Sequence, residues 1–244
     1  MPSESGNKGV HSTIEKISGT VYLSSLRIPD FIESAMEGIV PGDYRTARGI
    51  DLNVFQPARK YCTDEELARV AKARSLKRQV EWLCGRVALK ELLKSVKFPE
   101  LDLRDIKIVY NESGKPYLCG HGNTGISISH SGDFAMAALH TVPGKKIGID
   151  IEKYSGTDLE AVMSVAFTPE ERAEYKDRPA KDIITVFTLK EAYLKIRGQG
   201  FHETITRVSV KENRIFFDNA EVKGITTEIR KIDREYILSI IYES

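Results

Sequence analysis

Two acidic residues alternate with isoleucines in Gly148-Ile-Asp-Ile-Glu152. Read as a strand, this segment sends Asp150 and Glu152 to one face and the isoleucines to the other. Neighbouring carboxylates on a buried strand repel each other and resist leaving water unless a cation neutralises them. Hard oxygen ligands suit Mg2+, which takes few protein carboxylates and fills its shell with water and phosphate oxygens. An edge strand holding its acids in water is the plainer reading of the same pattern. Glu191 and Lys195 lie four apart in a predicted helix and share a face, with Phe187 one turn earlier. They form either a surface ion pair worth about 0.3 kcal/mol or a third metal ligand and a cation facing phosphate.

Ser129-His130-Ser131-Gly132 continues an alternation that begins at Ser127. A nucleophile and its base, phosphate donors, or plain turn serines would all read this way. Hydrolase chemistry usually needs a GxSxG elbow, which is absent, as are the GxxxxGKS and GxGxxG phosphate loops. Gly114-Lys115-Pro116 is a tight turn presenting one cation, as ordinary hairpin chemistry or as a phosphate grip. His121 and His140 have no Cys or His at zinc spacing and read as structural.

The elements that position these residues are legible in outline. Gly19–Arg27, Ile50–Phe55 and Asp105–Tyr110 read as strands, the last followed by a turn at Asn111–Lys115. Thr63-Asp-Glu-Glu66 is a capping box opening a helical stretch that runs to Val96. Beyond the glycine-rich Cys119–Gly125, Ile126–Ile128, Phe134–His140 and Lys146–Ile151 read as strands. Thr168-Pro-Glu-Glu171 opens another helix, Ile183–Arg197 an amphipathic one, and Val208–Phe217 and Thr227–Tyr242 are closing strands.

Offsetting the chain by 105 residues lays Thr63–Lys90 on Thr168–Lys195 without a gap and makes six of 28 positions identical, ending in Leu-Lys. Trp82 then meets Phe187, and Gly49-Ile-Asp51 resembles Gly148-Ile-Asp150. The expected fold is therefore α+β: a pseudo-twofold pair of similar α/β halves with a ligand cleft between them. Its parts are a flexible lead-in over 1–17, an N-terminal half over 18–119 and a C-terminal half over 120–244.

Composition is that of an ordinary globular chain of 244 residues, 41% hydrophobic and 29% charged. A net charge of +1 disfavours a generic nucleic-acid surface, but the distribution is uneven. Residues 57–97 hold eleven Lys/Arg against five Asp/Glu, and residues 148–191 hold six against ten. Such a chain suits a phosphorylated ligand together with its metal. No apolar run approaches a membrane span, the first dozen residues lack a secretory core, and three scattered cysteines fit a reduced, cytoplasmic protein.

Taken in order, Gly-Lys-Pro at 114–116, Ile-Ser-His-Ser at 128–131, Gly-Ile-Asp-Ile-Glu at 148–152, Phe-Thr-Pro-Glu-Glu at 167–171 and Lys-Glu-Ala-Tyr-Leu-Lys at 190–195 resemble the 4'-phosphopantetheinyl transferases, specifically the Sfp-like subgroup. The resemblance runs from about Thr63 to Gly200. It implies transfer of the phosphopantetheine arm of coenzyme A (CoA) to a serine of an apo acyl or peptidyl carrier protein, with release of 3',5'-ADP. It further implies Mg2+ on Asp150, Glu152 and Glu191, and CoA contacts at Arg69, Gly114, Lys115, Pro116, Ser129 and His130. Arg86, with Lys90 close by, is a less secure CoA contact. The resemblance gives Glu191 as metal ligand or general base, Lys195 as the group steadying developing charge on the CoA phosphates, and Glu171 as an acid near the carrier serine. Many relatives have Trp where this chain has Phe187. A monomer is expected, because both halves lie in one chain. The alternatives are a non-catalytic CoA- or carrier-binding module and a serine hydrolase built on Ser129 or Ser131 with His130.

Overall fold

The computed structural model describes residues 11–36, 38–49, 56–112, 114–198 and 204–244. The described residues open with β1 (Ser12–Lys16), β2 (Val21–Arg27) and α1 (Ile28–Ala35). Three helices follow: α2 (Gln56–Tyr61), α3 (Asp64–Val70) and α4 (Leu76–Val96). Two hairpins complete this part, β3 (Ile108–Tyr110) with β4 (Pro116–Leu118), then β5 (Gly125–Ser131) with β6 (Phe134–His140). After β7 (Ile147–Lys153) come α5 (Leu159–Ala166), α6 (Pro169–Tyr175) and α7 (Ala180–Arg197). The chain closes with β8 (Val208–Lys211), β9 (Arg214–Phe217), β10 (Ala220–Glu221), β11 (Ile225–Ile232) and β12 (Tyr236–Glu243).

Alternation along the strands sets the layers. One antiparallel sheet has the order β1-β2-β6-β5, another β11-β12-β7. Val21, Leu23, Phe134, Met136 and Ala138 of the first meet Ile147, Ile149, Ile151, Leu238 and Ile240 of the second in a shared core. The opposite faces carry the long helices: Val80, Leu83 and Val87 of α4 pack with Leu26, Ala135 and Leu139, and Leu189, Ala192 and Ile196 of α7 pack with Ile241. Helix, sheet, sheet and helix thus form four layers. α7 lies against β7 because Gly148 has no side chain: a Cβ there would stand 2.0 Å from the Ala192 carbonyl oxygen.

The order β2–α3–α4–β5–β6 is matched by β7–α6–α7–β11–β12, and the strand neighbours 2-6-5 by 7-12-11. Each half contains the same buried clasp. Lys90 Nζ donates to Tyr61 O (2.8 Å) and Glu66 Oε2 (2.7 Å). Lys190 Nζ donates to Ala166 O (2.8 Å) and to Glu171 Oε2. Both glutamates also close the capping boxes of their short helices. The clasps correct the gapless alignment. Glu66 and Glu171 are 105 apart, but Lys90 and Lys190 are 100 apart. Leu89-Lys90-Glu91 therefore answers to Leu189-Lys190-Glu191, not to Leu194-Lys195, and the pairing of Trp82 with Phe187 lapses with it. The counterpart of β7 is β2 rather than the Gly49 segment, and the expected strand at 50–55 lies outside the described residues.

Two expected boundaries also move. Residues 12–16 are not part of a flexible lead-in: β1 pairs with β2, and its start is anchored where Ser12 N and Oγ donate to Glu91 Oε2 at 2.8 and 2.6 Å. A division at 119/120 would separate β5 and β6 from the sheet they complete by pairing through β2. The structural seam falls between β6 and β7.

Candidate active site

β7 bonds to β12 along one edge, and its other edge faces β5. Glycine at 148 and acids at 150 and 152 occupy the face covered by α7, so the predicted strand alternation holds. Asp150 is 5% exposed. Its Oδ1 accepts from Ser129 Oγ at 2.8 Å and from Lys195 Nζ at 2.8 Å. Lys195 Nζ also donates to the carbonyl oxygen of Ile149 at 2.9 Å and, more loosely, to that of Ile128 at 3.4 Å. One ammonium from α7 therefore bridges both strands and the acid. Glu152 Oε2 accepts from Ser131 Oγ at 2.7 Å.

The acids disturb one another. Burial, then the charge of Asp150, push the Glu152 carboxyl up to about 7, against the opposing pull of the Ser131 hydroxyl. Burial and Asp150 likewise raise the pKa of Glu191, with Lys195 opposing. Asp150 Oδ2 is buried and without a hydrogen-bond partner. Mutually repelling carboxylates and one unpartnered buried carboxylate oxygen are, by their chemistry, donors that suit a hard divalent cation. Among the described residues no three His, Cys, Asp or Glu side chains stand gathered at metal-holding distance, and it is Lys195 that sits on Asp150 in this structure.

Of the predicted phosphate contacts, Lys115 reaches α7 but not the acids. Gly114 supplies the positive φ (+82°) of its turn, Pro116 opens β4, and Lys115 Nζ lies 3.4 Å from Ile196 O. The lysine lies close over Gly198, where a Cβ would stand 2.8 Å from Lys115 Cδ and shift its end. Burial, then Lys146, lower the Lys115 pKa. The Arg69 guanidinium lies 3.7 Å over the Tyr110 ring. Arg86 is buried between Trp82 and the same Tyr110, at 4.7 and 4.6 Å. Tyr110 ends β3, so Arg69, Arg86 and the turn bearing Lys115 are tied to one hairpin. Sequence reading missed Trp82 and Tyr110, whose only signal was aromatic character near basic residues.

Three expectations change. Ser129 is not a free phosphate donor: its hydroxyl proton is committed to Asp150 while its oxygen accepts from Ile151 N at 3.2 Å. His130 does not pair with Ser129 or Ser131, because successive strand residues face opposite ways. Its ring stands 3.8 Å from the Glu81 carboxylate of α4, and burial lowers its pKa against the pull of Glu81. The serine hydrolase reading fails on that geometry. Glu171 is held in the clasp, where its Oε2 accepts from Lys190 Nζ and from the Thr168 amide, which gives it a structural role beside the one the resemblance implies. Lys90 has the same structural role. Phe187 packs, partly buried, against the second core. A hollow of about 770 Å³ lies elsewhere, beside Arg59, Lys60, Glu91, Lys94 and Arg104, and contains none of the predicted site residues.

Comparison with known proteins agrees with the seam read from strand pairing. Residues 64–140 match the family described as the 4'-phosphopantetheinyl transferase N-terminal domain. Residues 146–241 match the 4'-phosphopantetheinyl transferase superfamily. The chain is 27% identical to a phosphopantetheinyl transferase of Thraustochytrium over 73% of its own length and 69% of the relative's. It is 32% identical to the 4'-phosphopantetheinyl transferase Sfp of Bacillus subtilis over 46% of its length and half of that protein. Across 34% of its length it is 35% identical to the holo-[acyl-carrier-protein] synthase of Streptococcus uberis, of which it covers 74%.

Proposed function

The chain belongs to the 4'-phosphopantetheinyl transferase superfamily, and from that premise we propose that it transfers the 4'-phosphopantetheine arm of CoA to a serine of an apo acyl or peptidyl carrier protein. The observation carrying this reading is the meeting of Asp150, Lys195 and Ser129 at the seam of the two sheets, with Glu152 and Glu191 in the same electrostatic neighbourhood.

Asp150, Glu152 and Glu191 would hold Mg2+, which when bound supplies charge neutralisation to the CoA diphosphate. The remaining work falls to this chain's side chains. The serine oxygen of the carrier attacks the phosphorus that bears the pantetheine arm, the bond from that phosphorus to 3',5'-ADP breaks, and the serine proton passes to Glu191. Burial and the charge of Asp150 raise the pKa of Glu191, the direction that acceptance of a proton calls for. Lys195 stands beside the acids, where its ammonium stabilises charge growing on the departing phosphate. Lys115 and Arg69 supply positive charge on the hairpin beside the end of α7. No covalent intermediate with this chain is needed. Both halves of the site come from one chain, which supports a monomer. No helix among the described residues is long and apolar enough to cross a membrane; the reading of a cytoplasmic protein rests on the three scattered cysteines.

Incubation with CoA, Mg2+ and a panel of apo carrier domains tests the reading. Intact mass spectrometry is expected to show a gain of about 340 Da at one carrier serine, the mass of the arm esterified there. No gain on any carrier contradicts the assignment.

A further inference from the structure

The seam between the sheets has no backbone ladder: β5 and β7 belong to separate sheets. The outward amides of β7 are instead met by alternate serine hydroxyls of β5. Ile149 N donates to Ser127 Oγ at 3.0 Å, Ile151 N to Ser129 Oγ at 3.2 Å and Lys153 N to Ser131 Oγ at 3.2 Å. A hydroxyl carries one proton and two lone pairs, so a serine that accepts from an amide keeps its proton for another acceptor. Ser129 gives that proton to Asp150 Oδ1 (2.8 Å) and Ser131 gives its own to Glu152 Oε2 (2.7 Å). In the same register Ser127 meets Gly148, which offers no carboxylate.

We infer that Ser129 and Ser131 are positioning residues: the hydroxyl ladder that joins the two sheets also fixes the orientation of Asp150 and Glu152, tying one oxygen of each acid to β5 and leaving Asp150 Oδ2 unpartnered for a cation. The inference rests on the transferase reading for the identity of that cation and otherwise only on the hydrogen bonds. Both hydroxyls act through the acids rather than on the reacting atoms. An ordinary backbone pairing at this seam would leave no spare proton to aim a carboxylate.

Ser127 supplies the internal control, since it caps an amide in the same way but orients no acid. Mn2+ binding in the presence of CoA, followed by electron paramagnetic resonance, reads positioning separately from turnover. Ser127→Ala is expected to lower the melting temperature by a few degrees and leave Mn2+ affinity within about twofold of wild type. Ser129→Ala and Ser131→Ala are expected to lower the melting temperature by a similar amount and weaken Mn2+ roughly tenfold or more, as loss of a group orienting a metal ligand does. Ser129→Thr, which keeps the hydroxyl, is expected to recover most of that affinity. Ser131 lies at the less buried end, so its variant serves if Ser129→Ala does not fold. Equal Mn2+ affinity in all the alanine variants, or equal weakening in Ser127→Ala, overturns the inference. Arm transfer by the wild type, measured alongside, separates the two claims. Transfer with unaltered Mn2+ affinity in the variants sinks the ladder alone, and weakened Mn2+ in the variants with no wild-type transfer sinks the transferase reading alone.

Discussion

Asp150→Ala is expected to lose roughly a thousandfold or more in arm transfer at any Mg2+ concentration, because it removes a ligand of the proposed metal site and an acceptor that holds Lys195 in place. The fold should survive. Lys195 keeps the carbonyl oxygens of Ile149 and Ile128 as acceptors, and deleting one of three crowded carboxylates relieves repulsion on Glu152 and Glu191. A melting temperature close to wild type, together with lost transfer, is the expected pair of results. Transfer within a few-fold of wild type would place the metal elsewhere.

Lys190→Met is expected to cause the largest loss of stability. Lys190 is fully buried, and burial lowers its pKa while Glu171 pulls it back up. Removing the ammonium leaves the Glu171 carboxylate buried without its cation and the Ala166 carbonyl without its donor. Breaking a buried pair in this way costs about 3–5 kcal/mol, or roughly 6–20 °C in melting temperature for a chain of this size. Adding Glu171→Gln should recover part of the loss, since a neutral amide is cheaper to bury than an unpaired charge. A thermal melt of the single and double variants checks both statements. An unchanged single variant would show that the clasp is dispensable. Lys90 and Glu66 form the equivalent pair in the other half.

The elements that carry the site were the most legible. Asp150 and Glu152 announce themselves because period-two alternation needs only local sequence, and the capping boxes at Thr63 and Thr168 are equally local. What failed was tertiary. A serine that reads as a phosphate donor turned out to cap an amide across a sheet seam, and nothing within 128–131 says which strand lies beside it. The structural role of Glu171 was hidden until its clasp lysine, 19 residues on, was placed against it. The gapless alignment missed a change in spacing between the short and long helices, which becomes visible only when Lys90 and Lys190 are seen to grip equivalent groups. β1 escaped notice because its anchor, Glu91, lies 79 residues away from Ser12.

On the proposed reading, Asp150, Glu152 and Glu191 hold a divalent cation against the diphosphate of CoA. Calorimetric titration of CoA into the protein with and without Mg2+ tests it most directly. CoA binding at least tenfold tighter with Mg2+ in the wild type, and no such enhancement in Asp150→Ala, is the predicted result. CoA affinity independent of Mg2+ in the wild type would contradict it.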